Sequence, residues 1–151
     1  MGYNEKEQAV VNHIYSKFEA AGKMDHPNQV VSSTIDKVFK QIVGEGKKYG
    51  CLLDFGGGAR RNVEPFKKEI WAWSIIGVIM IRFMGDTDTV EEDLREVIEV
   101  LQTLFTEDHT LNNVTPWVRI DRIDQAEIME LNDVPLYWLP FQITIVEGPD
   151  F

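Results

Sequence analysis

The sequence predicts an α+β domain in which two or three helices pack on a mixed or antiparallel sheet. Three observations carry this prediction. Two segments space their apolar residues three and four apart, which is typical of amphipathic helices. A long run rich in Trp, Ile and Val is typical of a buried strand, and the last third of the chain alternates apolar with polar residues. The order of a helical block, two strands, a helix and three strands favours the α+β class.

The length and composition indicate one soluble globular domain over residues 1–151. The chain has 151 residues, of which 44% are hydrophobic and 26% are charged. Its most apolar run, Ile70 to Ile81, is 12 residues long, whereas a membrane-spanning helix needs about 20. Charges occupy the place where a signal peptide has its apolar region, so we expect no membrane partner and a protein that stays where it is made.

The first helix is predicted over residues 4–21, with Gly22 as its C-terminal stop. Residues 33–43 repeat the helical spacing and are predicted as a short helix or an irregular segment. The apolar stripe of the first helix comprises Val10, Val11, Ile14, Tyr15 and Phe18.

Two strands follow, over residues 49–55 and 69–83. The second is apolar on both alternating faces, with Trp71, Trp73 and Ile75 on one parity and Ile76 on the other. A strand of this kind is central in its sheet and covered on both sides, which we expect to involve a helix on one side and another subunit on the other.

Residues 86–108 form the clearest amphipathic helix and also the most acidic segment. Nine acids stand against Arg95 alone, a net charge of -8 within a chain of net charge -10. Thr89 and Glu92 are placed for a capping box. The acids of the first turns either complement the helix dipole as a solvated face or form a functional acidic surface. With a pI of about 4.7, phosphate-driven binding of nucleic acid is disfavoured.

The last third predicts three strands, over residues 117–124, 127–131 and 136–146, joined as antiparallel hairpins because the gaps are short. Asn132 and Asp133 supply a turn. Leu139 and Phe141 share one face of the final strand with Ile143 and Ile145, and Gln142 and Thr144 share the other.

No catalytic signature is present, so we expect a protein that is not an enzyme and uses no cofactor. The "GGGARR" stretch from Gly56 to Arg61 lacks the Lys and hydroxyl of a phosphate loop. Cys51, in an apolar strand start, is interpreted as an inert buried thiol. The three histidines lack metal-site spacing.

The acids Asp121, Asp124, Glu127 and Glu130 either converge on a metal or glycosidic bond or, more simply, form a charged outer face with Arg119 and Arg122.

The order and character of the elements resemble the tail terminator proteins of long-tailed bacteriophages and prophages. The resemblance rests on the N-terminal amphipathic helix, "CLLDFGGGARR", "EIWAWSIIGVIMIRF", "TVEEDLREVIEVLQTL" and "VPLYWLPFQITIVEG". It implies a six-membered ring at the head-proximal end of the virion tail, assembled in the cytoplasm of the bacterial host. Such a ring stops addition of tail tube protein and meets the head-tail connector protein. Another neck protein, or a small-ligand or nucleotide-binding enzyme using the glycine-rich loop, is the alternative.

The resemblance gives three groups of residues an expected role. The loop is interpreted as docking a partner rather than a phosphate, and a solvated loop without a partner is the other interpretation. Exposed aromatics are expected at the subunit interface, and the acidic helix is expected to face a lumen through which DNA passes without specific binding. The docking residues are Gly56, Gly57, Gly58, Arg60 and Arg61; the interface residues are Trp71, Trp73, Tyr137 and Trp138; the lumen candidates are Glu91, Glu92, Asp93, Glu96 and Glu99.

Overall fold

The two longest apolar segments pair with each other at the centre of one sheet. In the computed structural model these strands are β4 (Trp71–Arg82) and β7 (Val134–Glu147), which run antiparallel from Trp71 opposite Glu147 to Arg82 opposite Leu136. The structure describes residues 3–32, 40, 44–55, 60–62, 71–83, 87–131 and 133–147. The predicted segment at residues 33–43 falls, apart from Lys40, outside the described residues.

Shorter strands extend the sheet on both sides of this pair. On the β4 side, β2 (Tyr49–Asp54) and β3 (Arg60–Asn62) each pair antiparallel with β4, and β1 (Val30–Val31) pairs parallel with β2. The sheet is therefore mixed, which confirms the predicted α+β class and the central position of β4.

The strands β5 (Trp117–Ile123) and β6 (Glu127–Leu131) pair with β7 and not with each other. The predicted β6–β7 hairpin is confirmed, with Asp133 at a φ of 66° in the turn. The predicted β5–β6 hairpin is wrong, because both strands lie in succession along one edge of β7. Pro140, which has no N–H to donate, faces the break between them, and its carbonyl accepts the Asp124 N–H at 2.9 Å.

The helix α1 (Tyr3–Ala20) ends as the glycine predicts. Gly22 has a φ of 75°, and its N–H donates to the Glu19 carbonyl at 2.9 Å. The Lys23 N–H donates to the Phe18 carbonyl at 2.9 Å. These two bonds form a Schellman motif, which satisfies carbonyls that the helix leaves unpaired.

The helix α2 (Thr87–Gln102) confirms the predicted acidic helix. Its first residue is Thr87, so Thr89 lies inside the first turn and the predicted capping box of Thr89 with Glu92 is wrong. Its apolar stripe continues past the helix end into the turn that holds Leu104 and Phe105, and both residues are buried.

The helices α1 and α2 pack on the same face of the sheet, which we call the inner face. This face holds the main core, because alternate residues of β4 and β7 meet the apolar stripes of α1 and α2. We call the opposite face the outer face. The inner-face core includes Val10, Ile14, Phe18, Trp73, Ile75, Ile79, Val97, Leu101, Tyr137, Leu139, Phe141, Ile143 and Ile145.

Candidate subunit interface and docking surfaces

The aromatic residues predicted for a subunit interface divide between the two faces of the sheet. Trp73 is 3% exposed and Tyr137 is 8% exposed, both in the inner-face core. The expectation that these two side chains are exposed is therefore wrong, because each has the parity that points toward the helices. Trp138 has the other parity and is half-buried on the outer face. The side chain of Trp71 lies outside the described residues.

One half of the outer face is a small apolar cluster. Val78, Met80 and Leu136 are buried there, with Trp138 and Leu52 packed against them. Strand alternation explains this second cluster, because β4 is apolar on both parities.

Large apolar side chains are also exposed on the outer face. Ile76 is 43% exposed, Trp117 is 36% exposed and Met129 is 39% exposed. Their pairing with Gln142, Val146 and Leu136 of β7 places all three on the outer face. Isolated exposed apolar residues are common, but several on one sheet face are typical of an interaction surface.

The other half of the outer face is polar and concave. Gln142 Nε2 donates to Ser74 Oγ at 3.0 Å, and the Thr144 hydroxyl donates to the Asp121 carboxylate. Arg119 Nε donates to Asp121 Oδ1 at 2.7 Å. The cavity that Ser74, Arg119, Asp121, Gln142 and Thr144 line has a volume of about 320 Å³.

The residues of the predicted docking loop are only partly described. Gly56, Gly57 and Gly58 lie outside the described residues. Arg60 and Arg61 belong to β3, where they pair with Trp73 and Ala72 of β4. The expectation of one long loop through Arg61 is therefore wrong, because the backbone of both arginines is held in the sheet.

The predicted acidic surface lies on α2, and its five acids differ in their surroundings. Glu91, Glu92 and Glu99 are exposed. The Asp93 side chain is only 13% exposed, and Glu96 pairs with Lys23. Glu91, Glu92 and Glu99 are therefore the lumen candidates that are exposed and make no ion pair with another described residue, whereas Glu96 is exposed but paired.

Asp93 lies in a charged cluster that joins α2 to the start of β2. Lys23 Nζ lies 3.4 Å from Asp93 Oδ1, and Lys48 pairs with the other carboxylate oxygen. Burial opposes ionisation of Asp93, but the hydrogen bond and charge of Lys48, together with Lys23, outweigh it and lower its pKa. Burial raises the pKa of Tyr49, over whose ring Lys23 lies at 5.5 Å, to about 12. These ion pairs connect Asp93 of α2 with Lys23, which follows α1, and with Lys48, which precedes β2.

The cysteine, one histidine and two aspartates that could carry chemistry are each buried, stacked on a ring or paired with an arginine. Cys51 is buried, and burial raises the pKa of its thiol, as expected for an inert cysteine. His13 stacks on Phe105, with ring centroids 5.1 Å apart. Asp121 and Asp124 pair with Arg119 and Arg122 of their own strand region. This pairing favours the charged-face interpretation of the acids over a converging carboxylate site.

The described residues contain no group of three or more His, Cys, Asp or Glu placed to hold a metal ion. No helix within the described part of the chain is long and apolar enough to cross a membrane.

Sequence reasoning missed the exposure of Ile128 and Met129 on β6, which are 62% and 39% exposed. Their signal is a short "EIMEL" strand in which apolar residues stand on both parities at the edge of the sheet.

The fold and these surfaces define an α+β protein whose sheet exposes Ile76, Trp117 and Met129 on an outer face that is partly apolar and partly polar. No protein-family model matches the chain, and no curated protein matches it.

Proposed function

We propose that this chain is a structural subunit of a phage tail, a ring-forming tail terminator that caps the tail tube and joins it to the head connector. The observation that carries the proposal is the outer face of the sheet, where Ile76, Trp117 and Met129 are each exposed at separate positions along β7. A neighbouring subunit would remove this apolar area from water, which is the main driving force of association.

The acidic helix supports the same proposal. Glu91, Glu92 and Glu99 are exposed on α2 within a chain of net charge -10. If they line the lumen of a ring, their field repels phosphates, so DNA passes without specific binding. Replacing the three with Lys should make assembled rings retain duplex DNA, and retention should fall as salt rises. Equal retention by wild-type and substituted rings at low salt would remove the lumen assignment.

In this proposal the partners are five further copies of the chain, the tail tube protein and the head-tail connector protein. The ring stands at the head-proximal end of the virion tail and assembles in the cytoplasm of the bacterial host. Arg60 and Arg61, at the edge of the sheet in β3, are proposed to dock a partner through carboxylates. The role is structural and not enzymatic.

The deciding experiment is electron microscopy, with light scattering, of the purified protein with and without tail tube subunits. We expect six-membered rings on the ends of tubes, and tubes of limited length in their presence. Unlimited tube growth with the protein still monomeric would contradict the proposal. Calorimetry with ATP and GTP tests the enzyme alternative, which tight binding lost in an Arg60→Ala and Arg61→Ala variant would favour.

A further inference from the structure

The backbone of β6 has one edge turned away from the sheet. The Phe83 N–H donates to the Pro135 carbonyl at 3.2 Å, so the backbone groups of Pro135 point toward the β4 side. Glu130 lies opposite Pro135 and Ile128 lies opposite Tyr137. In an antiparallel ladder such alternate residues form the pairs without hydrogen bonds. The N–H and C=O groups of Ile128 and Glu130 therefore point outward.

The Pro140 contact gives an independent check of this alternation. The Pro140 carbonyl accepts the Asp124 N–H at 2.9 Å, so Pro140 points toward the β5 and β6 side. Pro135 and Pro140 are five residues apart and must point to opposite sides, as they do. Ile128 and Glu130 therefore each turn an N–H and a C=O away from β7. The two residues have the alternate spacing that the ladder of an added strand needs.

The neighbouring edge strand, β5, is protected in a way that β6 is not. A register shift between Ile120 and Arg122 interrupts β5, whereas the pairing of β6 with β7 is regular. A bulge is a usual protection of an edge against strand addition. On β6, by contrast, Ile128 is 62% exposed and Met129 is 39% exposed, one on each face.

The charge around β6 selects the kind of strand that fits. From Ile123 to Glu147 the sequence contains five acids and no Lys, Arg or His. Glu127 and Glu130 flank the two apolar side chains and are exposed. A second copy of β6 would bring its own glutamates to this edge, and like charges across strands are destabilising.

We propose that β6 is a docking edge to which an extended segment of another protein, carrying Lys or Arg alternating with apolar residues, adds as a further strand. Its backbone bonds Ile128 and Glu130, its apolar side chains cover Ile128 and Met129, and its cations meet Glu127 and Glu130. The proposal does not depend on the ring function, since it is argued from the outward backbone groups of β6, and the only residue it shares with the ring proposal is Met129.

A short peptide alternating Lys and Val is the probe, with fluorescence anisotropy as the measurement. We expect saturable binding that weakens as salt rises. The matched peptides replace Lys with Glu, or the central Val with Pro, and both should bind at least about tenfold more weakly. Equal binding of the Pro peptide would overturn strand addition, and equal binding of the Glu peptide would overturn the basic partner.

Two protein variants separate the backbone from the charge. Glu130→Gln removes the charge and keeps the N–H, whereas Glu130→Pro removes both without touching a bond to β7. We expect Glu130→Pro to bind about tenfold more weakly than Glu130→Gln. Glu99→Gln on α2 is the control and should bind as wild type does. Equal binding by the two Glu130 variants would contradict the proposal.

Amide exchange of the wild-type protein keeps the test independent of whether Glu130→Pro folds. The amides of Ile128 and Glu130 should exchange fast in the free protein and slowly with the Lys-Val peptide bound. Protection of both amides in the free protein that increases with protein concentration would show self-pairing instead, and would overturn the proposal.

Discussion

On the inner face of the sheet Leu139 and Ile143 are fully buried, whereas on the outer face Ile76 is 43% exposed and Trp117 is 36% exposed. Both faces of β4 are apolar in sequence, so composition does not distinguish them. The difference arises because α1 and α2 pack on one face only. The inner face therefore stabilises the fold of one chain, whereas the outer face combines a buried cluster with side chains that stay exposed, Ile76 and Trp117 among them.

The largest effect on stability is expected from Phe141, which is 1% exposed on the inner face. Phe141→Ala should lower the free energy of unfolding by about 4 kcal/mol, because it leaves a cavity among packed side chains. Urea denaturation measures this. The neighbouring outer-face residue provides the control, since Gln142→Ala should lower it by less than about 1.5 kcal/mol. Equal losses would contradict the division between the faces.

The next effect concerns Gly77, which lies opposite Phe141. A Cβ at Gly77 would stand 2.7 Å from Cε1 of the Phe141 ring, so the ring must move. Gly77→Ala should therefore destabilise the protein by about 2 kcal/mol. In a Phe141→Leu background the same substitution should cost less, which urea denaturation of the double-mutant cycle measures. Full additivity would mean that the ring does not contact this position.

Substitution of Asp93 measures how much the charged cluster of Lys23, Lys48 and Asp93 contributes to the free energy of unfolding. Asp93→Asn should destabilise the protein by about 2 kcal/mol at neutral pH, because Lys23 and Lys48 lose their carboxylate. The folded-state pKa of Asp93 is lowered, so its stabilisation is present above the unfolded value of about 3.9 and is lost as pH falls through the folded pKa. The difference between wild type and variant should therefore shrink below about pH 4. Glu92→Gln, on the exposed side of α2, should show no such difference.

The smallest effect on the free chain is expected on the outer face. Ile76→Ala and Trp117→Ala should each change the free energy of unfolding by less than about 1 kcal/mol, since both side chains are partly exposed. The same changes should weaken assembly by roughly 2 kcal/mol if these residues are central to an interface. Light scattering with tube subunits present measures the second effect. Unchanged assembly in both variants would remove this face as the interface.

The sequence by itself determined the elements that local pattern specifies. The spacing of Val10, Ile14 and Phe18 predicts α1, and Gly22 predicts where it ends. Asn132 and Asp133 predict the β6–β7 turn. Each of these signals depends on residues close in the chain, so helical period, turn chemistry and alternation suffice to read them.

Only the tertiary structure decided which strands are neighbours and which face is covered. The short gap before β6 favoured a hairpin with β5, but the length of β7 allows both strands to pair with it in succession. Trp73 and Trp138 have the same chemistry, yet one lies in the core and the other on the outer face. Alternation separates the two parities of a strand but does not say which parity meets the helices, because that depends on contacts between residues far apart in the chain.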